Sequence, residues 1–184
     1  PLRMNRTRTL RLLLLVGCSC LWALAAPAAA QQQPNIVIFL ADDLGYGDVK
    51  CLNPEGRIAT PHMDSIAANG MRFTDAHSSS AVCSPTRYGV MTGRYNWRSK
   101  LQSGVLGGLS PRLIERDRMT VASFLKQQGY ATACIGKWHL GMDWVKLPGR
   151  EVSELNIETA DQVDSVDYGR PVTNGPTSMG FDSY

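Results

Sequence analysis

Past residue 33 the chain alternates between apolar runs and polar stretches marked by glycine or proline. Asn35-Ile36-Val37-Ile38-Phe39-Leu40 is a continuous apolar run rich in branched residues, the pattern of a central parallel strand covered on both faces. It runs into the acidic turn Ala41-Asp42-Asp43-Leu44-Gly45-Tyr46-Gly47-Asp48. Thr60, Pro61 and Gly70 bracket a helix with Ile66 and Ala67 on its buried face. Met71–Thr74 is a short extended segment, and Pro85 opens a second helix that ends at Thr92-Gly93. Residues 94–111, rich in Gly, Ser and basic side chains and carrying Trp97, form a surface loop that is more simply solvated than pocket-lining. Val121, Phe124 and Leu125 fall at helical spacing between Thr120 and the stop Gly129. Tyr130–Ile135 is a second buried strand, which delivers Gly136-Lys137-Trp138-His139-Leu140-Gly141 at its carboxyl end. From Val145 onward the chain is loop-like, with a solvated cluster of acids from Glu151 to Asp167. Strands alternating with helices predict an α/β fold, in which ligands gather beyond the carboxyl ends of the strands.

Composition changes this picture at one end. The formal net charge of the 184 residues is +3. Arg3, Arg6, Arg8 and Arg11 lie in residues 1–30, which hold no acid, leaving 15 basic against 16 acidic residues in the remainder. Such a near-neutral body has no basic stripe for nucleic acid. Residues 1–30 have the layout of a signal peptide: a basic region from Met4, an apolar stretch Leu12–Ala26, and Ala28-Ala29-Ala30 before Gln31. The apolar stretch is short for a membrane span and is broken by Pro27. Export to the periplasm or medium is therefore expected. Leu15-Val16-Gly17-Cys18 also resembles a lipobox, but the residues after Cys18 stay apolar where a tether is usually polar. Cys51, Cys83 and Cys134 remain after the leader. An odd set of three is no disulfide scaffold; a Cys51–Cys134 bridge is permitted by export, but two separate buried thiols is the simpler expectation.

Three clusters carry candidate chemistry. Cys83 stands at a helix start, where unpaired N–H groups favour an anion, and Arg87 adds a permanent forked donor one turn on. Taken alone, Cys83 equally fits a buried thiol before an ordinary helix. Asp42 and Asp43 are adjacent carboxylates that repel unless a cation compensates, and their hard oxygens suit Ca²⁺ or Mg²⁺. Taken alone, they also fit a turn with solvated acids. Lys137 and His139 leave the second strand on the same sheet edge as Asp42. His62 and His77 have no partners at metal-ligand spacing and fit exposed side chains.

Cys83-Ser84-Pro85-Thr86-Arg87, the apolar run to Met91 and Thr92-Gly93 resemble the sulfatase signature Cys-x-Pro-x-Arg with its downstream Thr-Gly. The Gly-Tyr strand running into Gly-Lys-Trp-His-Leu-Gly resembles the second sulfatase signature, and Gly180-Phe181-Asp182 the segment after it. Two signatures in the right order support each other. The resemblance implies the N-terminal part of a sulfatase domain over residues 31–184, on an alkaline-phosphatase-like, doubly wound, mostly parallel sheet with helices on both faces. It implies that a maturation enzyme oxidises Cys83 to formylglycine, whose hydrate attacks sulfur with one hydroxyl and releases sulfate with the other. Asp42, Asp43 and position 83 would hold Ca²⁺, with Mg²⁺ the alternative. Arg87 would orient the diol, Lys137 would bind sulfate, and His139 would bond a formylglycine hydroxyl and handle protons. Ser84 and Thr86 fill tolerant slots with no catalytic role.

The expected substrate is a sulfated small molecule or polysaccharide. Further metal and sulfate ligands of the family find no counterpart here, so residues 31–184 alone are expected to bind metal weakly and turn over little. Two readings compete: a phosphonate or phosphodiester monoester hydrolase of the same superfamily, and a catalytically inert fragment.

Overall fold

The computed structural model describes residues 33–150 and 160–184, so the expected leader lies outside it, as do Glu151, Glu154 and Glu158. The chain divides into two units, one ending at Leu40 and one spanning Ala41–Tyr184.

In the first unit, residues 33–40 carry no assigned strand. Their apolar side chains are exposed, Val37 by 71% and Phe39 by 85%. The expected doubly covered strand is thus not formed among the described residues. The amides and carbonyls of a central strand need a ladder on both sides, and no ladder is assigned here.

The second unit is built from helices and pinned loops. Helix α1 spans Pro61–Asn69, with Pro61 at its first position. Thr60 sits at the N-cap without capping the helix. Its hydroxyl instead accepts from the Lys50 N–H (2.9 Å) and donates to Asp64 (3.1 Å). No residue of α1 is buried, and Ile66 is 65% exposed, contrary to the expected inner face. Helix α2, Cys83–Thr92, follows Val82 in extended conformation and stops at Gly93, whose φ of 65° lets its N–H reach the Gly89 carbonyl. Helix α3, Val121–Gln127, is capped by Thr120, whose hydroxyl accepts from the Ser123 N–H at 3.0 Å. A single turn, α4, spans Ala160–Val163.

The core lies between α2, α3 and the loop that joins them. Tyr88 and Met91 of α2 meet Leu101, Leu106, Leu113 and Ile114 from the loop, Ala122 of α3, and Leu140 and Met179. Residues 94–111 are therefore not the solvated surface loop their composition predicts: Ser99, Leu101, Leu106 and Ser110 are all at most 5% exposed. Two leucines spaced among glycines suffice to anchor it, since each fully buried leucine is worth about 1.5–3 kcal/mol. Tyr95 and Trp97, stacked at 4.1 Å, keep to the exposed part.

Tyr130–Ile135 is likewise not a buried strand. Its one assigned pairing is a parallel bridge from Ala133 to Ser183, and Ile135 is 94% exposed. Asp182 holds this edge by accepting from the Thr132 N–H (2.8 Å) while pairing with Lys126 of α3 (2.6 Å). Two antiparallel bridges, Asp143–Thr173 and Lys146–Val166, pin the chain beyond. Cys51, Cys83 and Cys134 are free and half-buried, so no Cys51–Cys134 bridge forms.

Candidate active site

Stretches far apart in sequence meet around the Cys83 side chain. Cys83 is the first residue of α2, and Arg87 lies one turn along it. Lys137 and His139 come from the turn after Ile135, where Gly136, His139 and Gly141 all have positive φ (94°, 52° and 74°). These left-handed residues swing successive side chains into directions a regular strand or helix would not give. For His139 that conformation costs on the order of 1–2 kcal/mol, and its neighbours hold it there. Leu140 is fully buried, and its carbonyl accepts from the Leu113 N–H at 2.9 Å. Trp138 donates to the Gly141 carbonyl (2.9 Å), and the Met142 N–H to Ser110 (3.1 Å).

The Lys137 ammonium donates to Asp42 Oδ2 at 2.7 Å and to Cys83 Sγ at 3.3 Å. Arg87 Nη2 donates to the other oxygen of Asp42 at 3.2 Å, and its Nη1 to the Lys137 carbonyl at 2.5 Å. The four residues thus form one connected group: Asp42 takes a cation on each oxygen, and Arg87 fixes the backbone that carries Lys137. The bond from Lys137, aided by Arg87, lowers the pKa of Asp42 despite some desolvation. Asp42, and then Cys83, raise that of Lys137. At neutral pH the pair is ionised. The Arg87 side chain is 11% exposed, against 41% for Asp42 and 44% for Lys137.

His139 is tied elsewhere, its Nε2 lying 2.6 Å from the Leu106 carbonyl. Asp43 neighbours Asp42 with φ 59°. His62 and His77 are exposed, and His77 bonds the nearby Asp75 at 2.7 Å. Two polar atoms of the candidate residues, Arg87 Nε and His139 Nδ1, are buried with no hydrogen-bond partner among the described residues. Leaving such a group unpaired costs about 1–3 kcal/mol, which favours a ligand or further residue that satisfies it.

The donors fit a hard divalent cation in type but fall short in number. Asp42 already binds cationic groups on both oxygens, with Lys137 Nζ standing between it and Cys83. Yet no group of three His, Cys, Asp or Glu side chains gathers to enclose an ion among the described residues, and Ca²⁺ takes six to eight oxygens.

The family model described as Sulfatase matches residues 34–164. The chain belongs to the sulfatase family. It is 44% identical over 111 residues to an N-acetylgalactosamine-6-O-sulfatase of Bacteroides thetaiotaomicron, covering 60% of this chain and 21% of that one. It is 44% identical over 124 residues to human arylsulfatase A, covering 67% and 24%. A solved structure, described under the metabolism of multiple glycosaminoglycans by Bacteroides thetaiotaomicron, superposes with a TM-score of 0.65 at 37% identity, covering 82% of this chain and 27% of that one. The chain thus spans about a quarter of the length of these sulfatases. The fold is the alkaline-phosphatase-like α/β fold, represented here by its helices and strand-end loops.

The sequence pattern gives Ser84 no catalytic role and does not single out Leu106, yet these two residues link α2 to His139. Ser84, fully buried, accepts from the Leu106 N–H at 3.2 Å, and the Leu106 carbonyl meets His139. A backbone carbonyl leaves no signal in a sequence; only the apolar Leu106 hinted that its loop turns inward.

Proposed function

We propose that this chain carries the nucleophile-bearing part of an active site that hydrolyses sulfate esters, with Cys83 oxidised to formylglycine. The observation that carries the reading is the convergence of Asp42, Cys83, Arg87 and Lys137, four of the six side chains that the two sulfatase signatures and the acidic pair single out.

Once hydrated, the oxidised side chain supplies the nucleophilic oxygen and a second hydroxyl for release. A divalent cation, Ca²⁺ or alternatively Mg²⁺, would be held by Asp42, Asp43 and position 83, and would supply Lewis-acid polarisation. Lys137, 3.3 Å from the Cys83 sulfur, neutralises sulfate oxygens as charge moves toward the leaving alcohol. Arg87 keeps Lys137 and Asp42 in register through its two bonds, so these charges are in place before substrate arrives. His139 exchanges a proton with the reacting hydroxyl through Nδ1, the ring atom with no partner among the described residues.

Relatives named as sulfatases of N-acetylgalactosamine and of aryl substrates support a sulfated sugar or aryl sulfate as substrate. The basic and apolar pattern of residues 1–30 supports export through a signal peptide, and no helix among the described residues is long and apolar enough to cross a membrane. A formylglycine-generating enzyme is the required partner.

The test is nitrophenyl sulfate turnover by protein expressed from its complete reading frame in a host that performs the maturation, with peptide mass spectrometry across Cys83. Turnover in proportion to the converted fraction is expected. Full turnover with an unmodified thiol, or a large preference for a phosphodiester, would overturn the reading.

A further inference from the structure

Ser84 lies one residue after Cys83 in the first turn of α2 and is completely buried. Serine near a helix start usually turns its hydroxyl back on the helix's own amides. Here the oxygen reaches across to the following loop and accepts from the Leu106 N–H at 3.2 Å. Leu106 is itself 3% exposed, so side-chain burial and this bond together fix the direction of its peptide. On the far side of the same residue, the Leu106 carbonyl lies 2.6 Å from His139 Nε2.

A carbonyl oxygen only accepts, so Nε2 must carry the proton. In a neutral imidazole the other nitrogen is then a bare acceptor. That nitrogen, Nδ1, is buried with no partner among the described residues. We propose that Ser84 is a positioning residue whose hydroxyl, through the Leu106 backbone, holds the His139 ring with its proton on Nε2 and its free lone pair on Nδ1. The ring is thereby set to accept a proton from a hydroxyl and is kept from presenting an N–H to it. The second position of the Cys-x-Pro-x-Arg stretch is thus tied to the histidine of the second signature through a loop that belongs to neither.

The consequence for turnover rests on the sulfatase reading; the ring tautomer does not. The test uses protein from the complete reading frame, labelled with ¹⁵N-histidine, with the His139 signals assigned by their loss in His139→Gln. The expected wild-type spectrum has a pyrrole-type Nε2 and a pyridine-type Nδ1. Ser84→Ala should mix the tautomers and lower kcat, counted per converted position 83, by roughly tenfold with little change in KM, a fraction of the roughly 10²–10⁴ a placed acid–base group supplies. Ser84→Thr should restore both. Should Ser84→Ala not accumulate, Ser84→Cys takes its place, with a weaker acceptor and an intermediate effect expected. A wild-type proton on Nδ1, or a Ser84→Ala protein with wild-type tautomer and kcat, overturns the proposal. Absence of any sulfatase turnover in the wild type would defeat the functional reading, while the ring spectrum would still decide this one.

Discussion

Replacing Gly141 by alanine tests whether the turn bearing Lys137 and His139 is held by close backbone contact. Gly141 has φ 74°, and a Cβ built there lies 2.1 Å from the Pro111 carbonyl oxygen and 2.7 Å from its carbon. Ordinary contact begins near 3.4 Å, so the two segments must part by roughly 1 Å or more. Two costs add: the left-handed conformation, about 1–2 kcal/mol, and overpacking against a backbone that cannot rotate away, typically about 1–3 kcal/mol. A loss of about 2–5 kcal/mol is expected. Gly129→Ala separates the two, because Gly129 has φ 87° but nothing within 4 Å of its Cβ position; it should lose only the conformational part. Urea unfolding of both variants measures the difference. Since Gly141 lies two residues after His139, the same shift should lower sulfate-ester turnover by up to about 10²-fold, the order expected of a 1 Å misplacement. Equal stabilities for the two variants, with Gly141→Ala at wild-type turnover, would refute the reasoning.

Arg87→Lys should cut turnover by about 10²-fold at unchanged Cys83 conversion, because a point-like ammonium lacks the rigid planar fork with which Arg87 spans Asp42 and the Lys137 carbonyl, and their positions shift; steady-state kinetics with mass spectrometry checks it. Asp182 is held at a pKa of about 2, below its ordinary 3.8, first by its bond to Lys126 and then by Thr132. Its folded pKa is depressed, so its contribution to stability is full above about pH 4 and is lost as pH falls through about 2. Asp182→Asn should flatten the acid limb of a stability–pH profile, and an unchanged limb would contradict this. Exhaustive chelation should abolish turnover and Ca²⁺ should restore it; full activity after chelation would remove the metal from the site.

The helices were legible in the sequence because their boundaries are local. Pro61 and Gly93 act through their own backbone geometry and Thr120 through its hydroxyl, and each marks a helix end where expected, while Pro85 lies in the first turn of α2, two residues past its start at Cys83. Strand character was not. Ile36 to Leu40 and Tyr130 to Ile135 have the composition of buried strands, but a strand is defined by its neighbours, and Ile135 finds none that cover it. The candidate residues were legible by motif, while their mutual arrangement was not. That Lys137 bridges Asp42 and Cys83 depends on three positive-φ residues, only two of them glycine. Loop 94–111 turns inward against its composition, in which glycines and basic residues outnumber the few leucines that anchor it.

The paired bridges Asp143–Thr173 and Lys146–Val166 form a neck on the chain. Lys146 and Val166 are thereby held side by side, so the two ends of the intervening stretch are fixed to one another. Closing a longer excursion adds only about 0.6 kcal/mol per doubling of its length. The ends are therefore fixed whatever length lies between them, and a change of length there leaves Gly136–Gly141, upstream of the neck, with its grip on the chemistry.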